Sequence, residues 1–353
     1  MFETAAVRNP RDDDRPGPVN RSLAIFLVSV LGLFLELMLI RWIGTEIRIF
    51  AYLQNTVLVV CFLGLGMGCF SCRQPIRMRS LLLALLCLTL VLAVPLGRRG
   101  AAEITTLLSL LHDLLIWQHA PEMGTWTTVL GLAAGLLLTF GFMILLWEIF
   151  LPLGRLLGRL MDDHPRTIRA YSINVGGSLA GIGLFMLLSA WYTGPDVWLA
   201  VAGGLLLPFL GRRWLDLGLL LAVVVAAWFA GRDPTALEIA WSPYQKLMLT
   251  QCRSEGPQQS HAWAGQYLIL VNNAGYQGIL DLSPEAVRNN PRIPPQRYGL
   301  SQYDVPLLLH PHPRRVLIVG AGSGNDVAGA LRGGAEQITA VEIDPGIIDM
   351  GRR

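Results

Sequence analysis

At 353 residues the chain has room for two or so domains. It is 53% hydrophobic and only 15% charged, whereas ordinary soluble domains are roughly a quarter charged. The net charge of +3 is carried almost wholly by arginine, with Lys246 the single lysine, and no basic stripe interleaved with aromatics occurs. That pattern excludes nucleic acid as the partner class.

The averages hide a division. Residues 1–22 form a polar tail, residues 23–231 hold long apolar runs with sparse charge, and residue 232 onward has the composition of a soluble α/β protein. The tail has no small-residue cleavage signature after the first apolar run, so that run reads as an anchor and not a removable signal. A spanning helix needs roughly 20 mainly apolar residues. Candidate spans lie at 23–40, 56–70, 81–96, 127–151, 170–191, 197–210 and 215–230. The stretch 104–118 is apolar but contains His112 and Asp113, which suits an interfacial or re-entrant helix.

Arginines cluster in the tail, at Arg73, Arg77 and Arg79, at 155–169, and at Arg212 and Arg213. The positive-inside rule then places the N-terminus in the cytoplasm. Seven spans from there would leave the soluble segment outside, where nucleoside cofactors are scarce. The expectation is nonetheless a multi-pass cell-membrane protein with a cytoplasmic soluble domain, either the span count being off by one or the loop charges misleading.

Polar residues inside the spans are Glu36, Glu148 and Asn174. Ionisable groups at membrane depth suggest a cation path, and the competing reading pairs Glu36 with Arg41 and sets Glu148 near an interface. Gly64, Gly66 and Gly68, and Gly177 and Gly181, form small-residue faces that let helices approach closely. Cys69 and Cys72 make a C-x-x-C pair with neither a βαβ unit beside it nor further ligands, so no metal is expected there.

In the soluble segment, an apolar run 247–250 and strands at 266–273 and 278–282 read as a small antiparallel unit, the last two separated by 274–277. Ser283 followed by Pro284 opens like a short helix. Residues 315–320 form a near-continuous apolar strand of the kind buried on both faces of a parallel sheet. It runs into a turn containing Gly320, Gly322 and Gly324, which allow close approach to a ligand. A helix over 326–332 follows, and its N-terminus favours negative or polar ligand groups. Glu342 then ends a second strand, where a carboxylate can accept both ribose hydroxyl protons of a nucleoside. Strand, glycines, helix and acidic strand end in that order make a moderate to strong signal.

Taken together, residues 240–353 resemble the spermidine synthase (polyamine aminopropyltransferase) family, and in particular its membrane-bound members. Ser242 to Gln245 is similar to the family's Ser-x-x-Gln motif, and Tyr276-Gln277 to its hydrophobic-Gln pair. Tyr298 falls where the family has the tyrosine of Tyr-His-Glu. Gly320 to Gly324 is similar to its Gly-Gly-Gly-Asp-Gly turn, and Glu342 to Asp344 to its Glu-Ile-Asp strand end. The resemblance implies that Gln245, Gln277, Gly320, Gly322, Gly324 and Glu342 bind the aminopropyl donor, decarboxylated S-adenosylmethionine, and that Tyr298 contacts the amine. Asp326, three residues beyond Ser323, is a further candidate for the donor site as a substitute for the family's aspartate. Two departures matter: Ser323 stands in place of a donor-binding aspartate, and Gly299 and Leu300 replace the histidine and glutamate. The turn equally suits S-adenosylmethionine methyltransferases.

The fold expected is therefore a multi-span α-helical membrane bundle, a small β-rich part over 232–310, and over 311–353 the first βαβ portion of a Rossmann-like, class I methyltransferase-type α/β domain. The family reaction transfers an aminopropyl group to a polyamine. The acidic residues that grip adenine and deprotonate the amine would follow Arg353, so no catalytic residue is assigned and the chain is expected to be inactive alone. Expected partners are the lipid bilayer and a polyamine or other small amine, with a homo-oligomer left open. The alternative is a transporter or sensor bundle bearing a nucleoside-binding appendage.

Overall fold

The structure, a computed structural model, describes residues 20–108, 125–211, 213–251, 267–289 and 302–352. Two compact units result: residues up to Leu188 with Thr193–Gly231, and Ser189–Tyr192 with the chain from Arg232 onward.

The first unit is helical. Its elements are α1 (Arg21–Glu46), α2 (Arg48–Tyr52), α3 (Gln54–Phe70), α4 (Met78–Ala93), α5 (Pro95–Leu108), α6 (Thr125–Asp162), α7 (Thr167–Ala190), α8 (Pro195–Leu206) and α9 (Trp214–Ala230). By length and composition α1, α6 and α7 are long and apolar enough to cross a membrane. Shorter apolar helices are α3, α4, α9 and α8 with its 3-10 extension to Phe209. Each apolar run read from the sequence is thus a helix, but α6 runs to 38 residues, well past the expected end at 151. Pro152 does not stop it, because a proline inside an apolar helix removes one hydrogen bond that neighbouring groups can replace. Of the stretch 104–118, residues to Leu108 close α5, while His112 and Asp113 lie outside the described residues.

Glycine decides how these helices meet. A Cβ added to Gly68 would stand 2.4 Å from the Leu151 carbonyl oxygen, and one on Gly154 would stand 2.1 Å from that of Leu65. So α3 and α6 touch backbone to backbone, a packing that apolar surroundings favour because dispersion, not water exclusion, holds helices together there. Further along, Gly158 meets Cys69 and Cys72, so the C-x-x-C pair belongs to this contact. On the other side, Gly177 and Gly181 of α7 press on Phe26 and Val30 of α1. There the Ser29 hydroxyl donates to Asn174 Oδ1 at 2.8 Å. Asn174→Leu is expected to lower stability by about 0.6–2 kcal/mol, read as a lower unfolding midpoint in detergent; an unchanged midpoint would show the bond to be idle.

The second unit starts with a four-stranded antiparallel sheet in the order β1 (Ala236–Trp241), β2 (Lys246–Gln251), β3 (Tyr267–Val271) and β4 (Ala274–Ile279). Strand β1 has no counterpart in the sequence reading. The β3–β4 turn is also tighter than expected. Asn272 and Asn273 adopt φ of 49° and 62°, and Val271 pairs directly with Ala274. Two residues with positive φ match the twist of the flanking strands, and asparagine tolerates that region. Residues 274–277 are therefore strand, not connection.

After α10 (Pro284–Asn289), where the Ser283 hydroxyl accepts from the Ala286 N–H at 3.3 Å, come α11 (Val305–Leu309), β5 (Arg315–Val319), α12 (Asn325–Arg332), β6 (Gln337–Val341) and α13 (Pro345–Arg352). Strands β5 and β6 pair in parallel from Arg315↔Gln337 to Val319↔Val341, with α12 between them in the chain. Asp304 anchors α12 through an ion pair with Arg332 at 2.5 Å, both side chains largely buried. Asp304→Ala takes the carboxylate from that guanidinium and leaves its bond to the Leu282 carbonyl; a loss of up to about 3–5 kcal/mol is expected, measurable by hydrogen exchange across α12.

Helix α13 is absent from the sequence reading. Ile347 and Met350 on it pack with Leu247 and Ile269 into the core of this unit, joining α13 to β2 and β3. Strand β5 differs in burial. Leu317 is 66% and Val319 77% exposed, with Val341 and Ile343 exposed beside them. Among the described residues one face of the parallel pair is uncovered, so its apolar composition is not matched by burial on both sides.

Candidate functional site

The glycine turn begins where β5 ends and is fastened to β6: the N–H groups of Gly320 and Ala321 both donate to the Val341 carbonyl, at 2.8 and 3.1 Å. Gly320, Gly322 and Gly324 have φ of 75°, 56° and 95°, a region L-residues enter at a cost. A Cβ at Gly320 or Gly324 would meet nothing within 4 Å, so space lies open beside the turn at both positions. At Gly322 a Cβ would stand 2.2 Å from Gln277 Oε1. A side chain there would displace Gln277 from the turn, and the positive φ adds a backbone cost.

Two side chains bolt the turn to the antiparallel sheet. The Ser323 N–H donates to Gln277 Oε1 at 2.8 Å. Asn325, the first residue of α12, donates from Nδ2 to the Gly278 carbonyl at 2.8 Å and to the Tyr303 hydroxyl at 3.1 Å. Gln277 reaches the turn because of a bulge. Ile269 pairs with Gln277 but Leu270 pairs with Gly275, leaving Tyr276 as the extra residue of β4. A bulge breaks strict alternation and re-aims side chains. Tyr276 accordingly lies close to Glu342 and Asp326: burial first, then these two negative charges, push its phenol above the usual range.

Glu342 faces the turn. Its Oε2 accepts from the Gly322 N–H at 2.9 Å and its Oε1 from the Asp344 N–H at 3.1 Å. Each carboxylate oxygen keeps a further lone pair. Asp344, fully buried, links three segments: its Oδ1 caps α13 through the Gly346 N–H at 3.0 Å, and its Oδ2 accepts from the Ser242 hydroxyl at 2.6 Å and Gln245 Nε2 at 3.2 Å. Asp344→Ala would remove a cap worth about 1 kcal/mol and take a buried charged acceptor from Ser242 and Gln245, at about 1–3 kcal/mol. A fall in the unfolding midpoint larger than that of Asp344→Asn is the expected result; equal midpoints would refute it.

The residues singled out in the sequence divide accordingly. The three glycines, Gln277, Asp326 and Glu342 converge on the turn. Gln245 does so only through Asp344, and Tyr298 lies outside the described residues. Sequence reasoning missed Asp344 as a cap, although aspartate followed by proline at the first helical position is a recognisable start. It also missed Tyr276 and Asn325 as parts of the site; the bulge that brings Tyr276 in has no signature in composition. Ser323 Oγ is buried and has no hydrogen-bond partner among the described residues.

This arrangement favours one ligand chemistry over another. A phosphate bound at a glycine turn needs free backbone N–H groups. Here the Gly322 N–H is taken by a carboxylate and the Ser323 N–H by an amide oxygen. The carboxylate would also repel an anion. A neutral polyol with adjacent hydroxyls, donating to the spare lone pairs of Glu342, is the better fit.

No curated protein and no solved structure matches the chain. Residues 301–353, which carry the glycine turn and Glu342, match the family described as Spermine/spermidine synthase domain.

Proposed function

We propose that the second unit is part of a spermidine-synthase-like domain that holds the nucleoside of decarboxylated S-adenosylmethionine at the Gly320–Gly324 turn, and that the helical unit anchors it in a cell membrane as a multi-pass segment. The observation that carries this reading is the Glu342 carboxylate hooked onto the Gly322 N–H within the segment similar to that family. Glu342 would accept both ribose hydroxyls. Gln277 and Asn325 hold the turn in place, Asp326 and Tyr276 border it, and Gln245 supports it through Asp344. The βαβ order of β5, α12 and β6 supports the reading of a Rossmann-like nucleoside domain.

In the family reaction, the amine nitrogen of a polyamine attacks the carbon beside the sulfonium. A C–N bond forms, the C–S bond breaks to leave a neutral thioether nucleoside, and the amine loses a proton to a base. No base is assigned among the residues of this chain. Ser323, neutral where the family has an aspartate, removes one charge that would repel the carboxylate of intact S-adenosylmethionine. The donor is therefore tested in both forms. Calorimetric titration of the purified full chain with decarboxylated and with intact S-adenosylmethionine should show saturable binding of at least one. Absence of binding to both, in protein whose unfolding is cooperative, would end the proposal. The engagement of Asn174 with Ser29 in a helix contact supports an anchoring role for the bundle over an ion path through Asn174.

A further inference from the structure

The ends of the helical unit differ in a way that assigns its sidedness. At one end, Arg21 donates to the Asp163 carbonyl at 3.0 Å and the Ser22 hydroxyl meets His164 Nε2 at 3.2 Å, bringing the start of α1 to the α6–α7 turn. Arg73 of the α3–α4 turn pairs with Asp162 and, at 3.5 Å, with Asp163. Arg155 and Arg159 of α6 donate to the carbonyls of Cys72, Gln74 and Pro75 just past the end of α3. Arg79 at the start of α4 pairs with Asp216 at the start of α9, at 2.5 Å. The starts of α1, α4, α7 and α9 and the ends of α3 and α6 therefore share one end of the unit. Arg77, Arg166, Arg169 and Arg213 lie exposed at the same end.

The opposite end is built from other contacts. Gly44, near the end of α1, lies beside Gln54 at the start of α3, and the Ile49 N–H donates to Thr105 Oγ1 of α5 at 3.1 Å. Among the described residues its cations are Arg41, which lies over the Trp198 ring near the start of α8, with Arg48, Arg98 and Arg99, and they come with Glu46, Glu103 and Asp196. Exposed aromatics flank the apolar surface at both ends: Tyr171 and Trp214 near the arginine-rich end, Trp228 near the other. Indole and phenol rings prefer membrane–water interfaces. From Trp214 to Trp228 on α9 the helical rise amounts to about 21 Å, so the two rings stand at opposite ends of the apolar stretch.

From the arginine-rich end α1 leads away, α3 returns, α4 leads away, α6 returns, α7 leads away, α8 returns and α9 leads away. Gly231 therefore emerges at the end poor in arginine. Arginine and lysine in short loops remain on the cytoplasmic side. We infer that the arginine-rich end faces the cytoplasm and that the chain from Arg232 onward, including the glycine turn, lies on the opposite side of the membrane. This replaces the cytoplasmic placement expected from cofactor supply. The nucleoside and amine taken up by this site then come from the extracytoplasmic side, or reach it by export. The inference does not depend on what the site binds.

The test is labelling by a membrane-impermeant maleimide in intact and permeabilised cells, using the full chain with its native cysteines replaced. Glu285→Cys, exposed on α10, should label in intact cells, and Pro165→Cys, in the α6–α7 turn, only after permeabilisation. Labelling of Pro165→Cys in intact cells, or of Glu285→Cys only after permeabilisation, overturns the inference. Full-chain fusions after Arg353 keep the question decidable if a cysteine variant fails to fold. Alkaline phosphatase should be active and green fluorescent protein dark there in a bacterial host; the reverse pattern overturns the inference.

Discussion

Gly68→Ala will lower the unfolding midpoint of the purified protein, while Gly66→Ala, two residues earlier on the same helix, will leave it unchanged or raise it. The Cβ at Gly68 would lie 2.4 Å from the Leu151 carbonyl oxygen and 2.7 Å from the Gly154 Cα, both backbone atoms of α6. Neither can rotate aside, so α3 and α6 must separate. Overpacking of this kind costs about 1–3 kcal/mol, and parting the helices also forfeits contacts along Gly64 and Gly158. At Gly66 a Cβ meets nothing within 4 Å. There only the helix preference for alanine remains, worth about 0.5–1 kcal/mol in favour of the variant. Gly154→Ala, with its Cβ 2.1 Å from the Leu65 oxygen, should behave like Gly68→Ala. Thermal unfolding in one detergent ranks the variants, and a Gly66→Ala midpoint at or below that of Gly68→Ala would contradict the packing described.

The second large effect is expected at Glu342. Its alanine variant loses the acceptors proposed for the ribose hydroxyls and the hold on the Gly322 and Asp344 N–H groups. A hydrogen bond to a charged group contributes about 1.5–3 kcal/mol, and about 1.4 kcal/mol is a factor of ten in affinity. At least a tenfold rise in the Kd of the bound nucleoside donor should follow, most of it regained in no variant that lacks an acceptor oxygen. Glu342→Gln keeps one such oxygen and should fall between. Equal calorimetric affinity of Glu342→Ala and the unaltered protein would remove the carboxylate from the site. Because Glu342 belongs to the second unit, hydrogen-exchange protection of α12, which Asp304 and Arg332 fasten within that unit, reports whether the variant is otherwise intact.

Much of the helical unit was legible because a run of apolar residues long enough for a span has few other folds open to it. The glycine turn was legible for a related reason: strand, positive-φ glycines and helix are local features within a few residues of one another. Burial was less so. The apolar composition of 315–320 describes what the strand could cover, whereas the exposure of Leu317 and Val319 depends on which layers are present. The β3–β4 turn is harder to place from sequence, because Asn272-Asn273 continues the apolar strand pattern by position, although paired asparagines tolerate positive φ and can close a two-residue hairpin.

By itself, then, the sequence determined the division at residue 231, the apolar helices, and the order of strand, glycines, helix and acidic strand end. These rest on hydropathy and on backbone preferences of single residues, which need no partner. Only the tertiary structure decided which of Gly64, Gly66 and Gly68 touches α6, that Tyr276 and Gln277 both serve the turn through a bulge, and that Asp344 rather than the turn receives Gln245. Those outcomes depend on atoms brought together from distant parts of the chain, and identical residue types two positions apart differ only in what stands opposite them.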